Sequence, residues 1–190
     1  MNEERLALDR VRETGPLFNR ADIVPPKVLS DLDSVYWAGG EPFMLPVHWE
    51  VMDKLVLSGH TKIPITYNTN FTFPSERLFV RASELLQHFS DVRVSISLDG
   101  LGEIGEYLRV GWVESDLHPR LKRFRASNPH VWLGVEMTIT CMGMLEFARV
   151  IKWCRDAELW FSGKRVQSWI GTRFLAIINP AINYPTVQAA

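Results

Sequence analysis

Cysteine is scarce in this chain of 190 residues: only Cys141 and Cys154 occur. Two cysteines do not make a disulfide framework, and their separation matches no metal-ligand pair, so both are expected to be packed free thiols. No run of about 18 apolar residues is present to span a membrane. The first ten residues, "MNEERLALDR", are charged and lack the apolar centre of a signal peptide, so the expected compartment is the cytoplasm. Excess charge of either sign is also missing. Lys plus Arg number 21 against 22 Asp plus Glu, so no global field points to nucleic acid or an anionic membrane. Internal repeats and low-complexity tracts are absent as well.

What remains is the composition of an ordinary globular chain, 46% hydrophobic and 23% charged, long enough to bury one core. Residues 1–30 read as a helical lead-in, with a helix over 3–13 on Leu6, Leu8 and Val11, closed by Gly15-Pro16. Pro25-Pro26 marks an irregular entry to a short helix over 27–32. Residues 31–180 form the expected domain body and 181–190 a tail. Within the body, strands and helices alternate: strands over 34–38, 62–68, 92–98, 130–140 and 173–178, and helices over 46–58, 75–89, 116–126 and 144–156. The segment after 98 reads as a glycine-punctuated loop, and Pro180 and Pro185 read as breaks. The alternation predicts an α/β fold with parallel strands.

The strand faces carry more information than their order. In "VRVSISLDG", Val92, Val94, Ile96 and Leu98 share one face; Arg93, Ser95, Ser97 and Asp99 share the other. The preceding strand sets Ile63, Ile65 and Tyr67 against Thr66, Asn68 and Asn70, and the following one sets Val135, Met137 and Ile139 against Glu136, Thr138 and Thr140. An open sheet with one wet face would show this pattern, and a doubly wound sheet is compatible with it. We expect a partial (β/α) barrel instead, in which right-handed crossovers put every helix on the apolar side and the polar faces line an interior.

Ligands of parallel α/β folds gather at the C-terminal strand ends. Those ends carry "AGGEP" (38–42), "YNTN" (67–70), "SLDG" (97–100) and, further on, "EYLRVG" (106–111). Gly39-Gly40 admits a close backbone approach, and Glu41 or a neighbouring carbonyl suits an ammonium group. Asn68, Ser97 and Asp99 are hydrogen-bond partners of the type a ribose needs, and Arg109 suits a carboxylate. Taken singly, Gly-Gly-Glu-Pro is a common turn and a loop arginine is commonly solvated. Elsewhere, Arg120, Lys122, Arg123 and Arg125 flank Leu121 and Phe124, which predicts an amphipathic helix with a solvated basic face. The seven tryptophans, Trp37, Trp112 and Trp132 among them, suit a substrate pocket or, more economically, the core.

The ordered set "VYWAGGEPFMLPVHWEVMDKLV", "ITYNTNFT" and "VRVSISLDGLGEIGEYLRVG" resembles the radical SAM superfamily, in particular its twitch-type members, with a looser likeness at "WFSGK" and "NPAINYP". The resemblance implies a partial (β/α)6 barrel that holds S-adenosylmethionine against a [4Fe–4S] cluster and generates a 5′-deoxyadenosyl radical. It also implies cofactor contacts. Gly39, Gly40 and Glu41 would meet the methionyl ammonium, Ser97 the ribose or carboxylate, and Arg109 the carboxylate. Asn68 and Asn70 would lie near the cofactor, with Asp99 shaping the turn before Gly100. The family's CxxxCxxC motif, which supplies the thiolates, has no counterpart here, since no cysteine precedes residue 141. No residue is therefore assigned a catalytic or metal-ligating role. The resemblance then implies an incomplete or split enzyme lacking its first βα unit, inactive alone, with a second chain supplying that unit and the cysteines. The alternative is a degenerate relative that binds S-adenosylmethionine or a nucleoside, or a partner, without catalysis. The substrate class, peptide or small molecule, is left open. The strand over 34–38 is expected to be an uncovered edge, giving poor solubility alone or association with the partner.

Overall fold

A computed structural model describes residues 26–109, 111–140, 142–168 and 175–183. The expected helix over 3–13, Cys141 and the last seven residues lie outside the described residues. After a short helix α1 (Pro26–Ser30) comes β1 (Val35–Trp37), a single 3-10 turn (Pro42–Met44) and helix α2 (Pro46–Leu57). Strand β2 (Ile65–Thr69) leads to α3 (Glu76–Leu86) and β3 (Val92–Leu98). Two helices, α4 (Gly102–Leu108) and α5 (Glu114–Ser127), connect β3 to β4 (Trp132–Ile139), and α6 (Gly143–Asp156) leads to β5 (Trp160–Ser168). The last strand is β6 (Leu175–Asn183).

The strands form one sheet in the order β1-β2-β3-β4-β5-β6. The first five are parallel, and β6 runs antiparallel to β5. Strand order that follows chain order is the topology of a barrel wall; a doubly wound sheet would reverse direction at its centre. Among the described residues the sheet does not close, and β1 pairs on one side only, as an edge. The fold is thus α/β, a partial barrel.

The expected faces are observed. Ile65, Tyr67, Val92, Val94, Ile96, Leu98, Leu133, Val135, Met137 and Phe161 are buried against the helices. There they meet Met52 and Leu55 of α2, Phe79 and Leu86 of α3, Leu121 and Phe124 of α5, and Val150 and Cys154 of α6, in one contiguous core. Thr66, Asn68, Ser95, Ser97, Glu136 and Thr138 line the other, concave face and are half-buried. The pleat alone dictates this split, because successive residues of a strand point to opposite sides.

Four expectations need correction. The stretch after β3 is not a plain loop but includes α4; its Gly105 is required by packing, since a Cβ there would lie 2.4 Å from the carbonyl oxygen of Gly100. Strand β5 was not anticipated, because Gly163 interrupts its apolar pattern; that glycine lies where a Cβ would crowd Ile139 and Phe147. Pro180 does not end the last strand, which passes through it beside a register irregularity at Gly163/Arg165; an outer strand tolerates the missing N–H. Finally, the basic face of α5 is not simply solvated. Arg120 donates to the Phe71 carbonyl at 3.2 Å, and Arg125 to the carbonyls of Ala157 and Glu158 at 2.8 and 3.1 Å. Arg123 pairs with Glu76 and lies over the Phe79 ring at 4.8 Å. These guanidinium groups fasten α5 to its neighbours.

Candidate functional site

The site residues stand at or just beyond the C-terminal ends of β1, β2 and β3. After β1 the chain turns through Gly39 (φ +84°) and Gly40 (φ +62°), both exposed. A Cβ on either would meet nothing within 4 Å, so conformation and not crowding demands glycine there. Glu41 then caps the 3-10 turn, and its side chain points inward. Its carboxylate accepts from Thr69 Oγ1 at 2.5 Å, from the Asn70 backbone N–H at 2.8 Å, and from the Phe43 N–H at 3.5 Å. Burial raises the Glu41 carboxyl above its ordinary pKa, against the opposing pull of these three hydrogen bonds and of the Arg109 charge. The carboxylate thereby pins the Gly-Gly turn to the end of β2, leaving the backbone of Gly39 and Gly40 as the exposed part of the motif.

Asn70 links this turn to the next loop. Its side-chain oxygen accepts from Arg109 Nη1, and Arg109 donates to Asp99 Oδ2 through Nη2 at 2.8 Å and Nε at 3.1 Å. Arg109 follows α4, so that helix swings the guanidinium back over the end of β3. The pair is only partly shielded, at 22% and 17% side-chain exposure, so one side of it reaches solvent. Below it, Ser97 Oγ donates to Asn68 Oδ1 at 2.5 Å across β2 and β3. Six of the eight sequence-derived residues are therefore joined in hydrogen-bonded groups, Glu41–Asn70–Arg109–Asp99 and Asn68–Ser97, with Gly39 and Gly40 alongside.

Thr69 was missed by the sequence reading. It is buried on the apolar face of β2, in series with Ile65 and Tyr67, where an oxygen is out of place unless it has a partner. It has two: besides Glu41, its Oγ1 accepts the Phe71 N–H at 2.9 Å. Beneath the turn, His48 and Tyr67 share a 2.9 Å hydrogen bond inside a ring of Trp37, Phe43 and Trp49. Burial, with help from the Arg81 charge, lowers the His48 pKa to about 3, so this imidazole is neutral and serves as packing.

Among the described residues the donor set does not fit an iron–sulfur cluster. Cys154 is fully buried in α6, burial pushes its thiol up to about 12, and among the described residues no group of three His, Cys, Asp or Glu is arranged to hold a metal. Backbone, guanidinium, amide and hydroxyl groups instead stand close together at these strand ends.

The sheet and its helices define an open, partial (β/α) barrel, a fold shared with solved structures of other proteins. Two solved structures with this fold are Streptococcus suis SuiB bound to S-adenosylmethionine, at TM-score 0.52 and 17% identity, and native anSMEcpe with bound AdoMet and the Cp18Cys peptide, at TM-score 0.57 and 17% identity. The first alignment covers 77% of this chain and 32% of SuiB; the second covers 82% of this chain and 46% of anSMEcpe. The chain thus spans less than half of either protein. At this identity the likeness is one of fold. No protein-family model and no curated protein matches the sequence. Among the described residues no helix is long and apolar enough to cross a membrane.

Proposed function

We propose that this domain binds S-adenosylmethionine in the trough at the C-terminal ends of β1–β3. The exposed backbone of Gly39 and Gly40 receives the methionyl ammonium, Arg109 the carboxylate, and Asn68 with Ser97 the ribose. The observation that carries the reading is the Asn70–Arg109–Asp99 chain. It engages three of the five N–H donors of a guanidinium and fixes its plane, with donors to spare for a ligand carboxylate. Asp99 is in this account a positioning residue. The fold similarity to two structures holding the same ligand supports the placement.

The finer assignment, to the twitch-type radical SAM enzymes, rests on the ordered "AGGEP", "YNTN" and "SLDG" segments. In that reading the chain is inactive alone. A second chain brings the CxxxCxxC cysteines and adds a strand at the open edge of β1. The burial of Cys154 equally favours a second reading, a binding module without radical chemistry. Calorimetry with S-adenosylmethionine on the whole chain tests the common core of both: saturable binding is expected, weakened at least tenfold by Arg109→Ala, and a folded chain giving no heat refutes it. Reconstitution with iron and sulfide separates them from a self-sufficient enzyme. No stable cluster absorbance is expected, and a full cluster on this chain alone would overturn the split or silent reading.

A further inference from the structure

The expectation that tryptophan serves the core holds for Trp112, which is 4% exposed, but not for Trp132 and Trp160, at 39% and 43%. These two open β4 and β5 on the concave face, at the end opposite the Gly39–Arg109 site, and Trp160 stands in register with Gly134. Their ring centroids are 5.9 Å apart at a tilt of 38°. A Cβ on Gly134 would sit 2.5 Å from Trp132 Cη2, so glycine there lets the indole lie against its own strand as a flat floor. The two rings border a cleft of about 560 Å³, whose polar walls are Asp91, Arg93, Ser95, Glu136 and Ser162. That volume is of the size that encloses a small molecule.

We propose that this cleft is a second ligand site, and that it takes a planar nitrogen heterocycle. The indole pair supplies the stacking surface. The rim offers both hydrogen-bond senses: Arg93, paired with Asp91 at 3.6 Å, has N–H groups left to donate, Asp91 accepts, and the Ser95 and Ser162 hydroxyls do either. A purely hydrocarbon occupant would strip water from those groups without replacing its hydrogen bonds, which is costly; a flat ring with nitrogen and carbonyl edges replaces them. Ser95 is one side-chain step, about 6.6 Å along the strand, from Ser97, so the two ligands would be neighbours in one trough. The site itself requires nothing from S-adenosylmethionine.

The test uses the full chain and pterin as probe, titrated without S-adenosylmethionine and followed by tryptophan fluorescence. Saturable quenching is expected. Trp132→Ala and Trp160→Ala should each weaken binding about tenfold or more, the scale of losing one ring stack, while Trp132→Phe keeps most of the affinity. Circular dichroism checks that each variant is folded, and the phenylalanine variant preserves a test if an alanine variant is not. The proposal is overturned by a wild-type chain that shows no saturable quenching, by folded alanine variants with unchanged affinity, or by equal competition from cyclohexane carboxamide, which has no flat ring. Failure of S-adenosylmethionine to bind leaves all these outcomes readable.

Discussion

Replacing Thr69 by valine isolates what ties the Gly-Gly turn to the sheet. The two side chains have nearly the same shape, so no cavity forms at this fully buried position. The hydroxyl is lost, however, and with it the 2.5 Å bond to Glu41 and the 2.9 Å acceptor for the Phe71 N–H. Each abandoned buried partner costs about 1–3 kcal/mol. The Glu41 carboxylate keeps the Asn70 N–H, so a net loss of about 2–4 kcal/mol is expected. Phe71 is itself held at φ +56°, a left-handed conformation unfavourable for a bulky side chain, which makes its anchor harder to replace. In a chain of this size each kcal/mol lowers Tm by roughly 2–4 °C. Thermal and urea denaturation followed by far-UV circular dichroism at pH 7 measure the loss. Thr69→Ser keeps the oxygen and should cost only about 1 kcal/mol, for one missing methyl group. If Thr69→Val falls within about 0.5 kcal/mol of wild type, or if serine does as much damage as valine, the hydroxyl is not the fastener described here.

Other outcomes follow from the same geometry. Gly40→Ala puts a Cβ into open space at φ +62°, so its cost is backbone strain alone, about 1–2 kcal/mol by denaturation, with Gly40→Asn costing less. His48, with its folded pKa lowered by burial to about 3, supports the fold fully above its unfolded pKa near 6.5; as the pH falls from there towards 3, stability should drop by roughly 1.4 kcal/mol per unit, and urea titrations of wild type against His48→Gln should show the slope vanish in the variant. Glu41 acts with the opposite sign. Its pKa is raised by burial, so its contribution is fully present below the unfolded value of 4.5 and is lost as the pH rises through the folded value; the stability of wild type relative to Glu41→Gln should therefore grow on acidification. Cys154 should resist iodoacetamide at pH 8 until the chain is unfolded, a result that peptide mass mapping reads directly.

Much of this protein follows from local pattern. Alternation along residues 92–98 and 132–139 assigns each side chain to the helix side or the concave side, because the pleat fixes that within a single strand. The regular return of a helix between strands implies parallel pairing, and Gly39-Gly40 before Glu41-Pro42 marks a turn by residue type alone. Partnership is another matter. Glu41 reaches Thr69 and Asn70, 28 and 29 positions away, and Arg109 reaches Asn70 across 39. Such contacts exist only once β1, β2 and β3 are in register, and register is a property of the assembled sheet. The same holds for Gly134 and Gly163. Read along the chain they weaken a strand, and read in the fold they make room for Trp132 and for Ile139 with Phe147. The arginines of α5 likewise look solvated by periodicity, yet tertiary packing brings carbonyls and Glu76 within their reach. Side-chain direction is thus written in neighbouring residues, whereas the choice of partner was decided by how the strand ends converge.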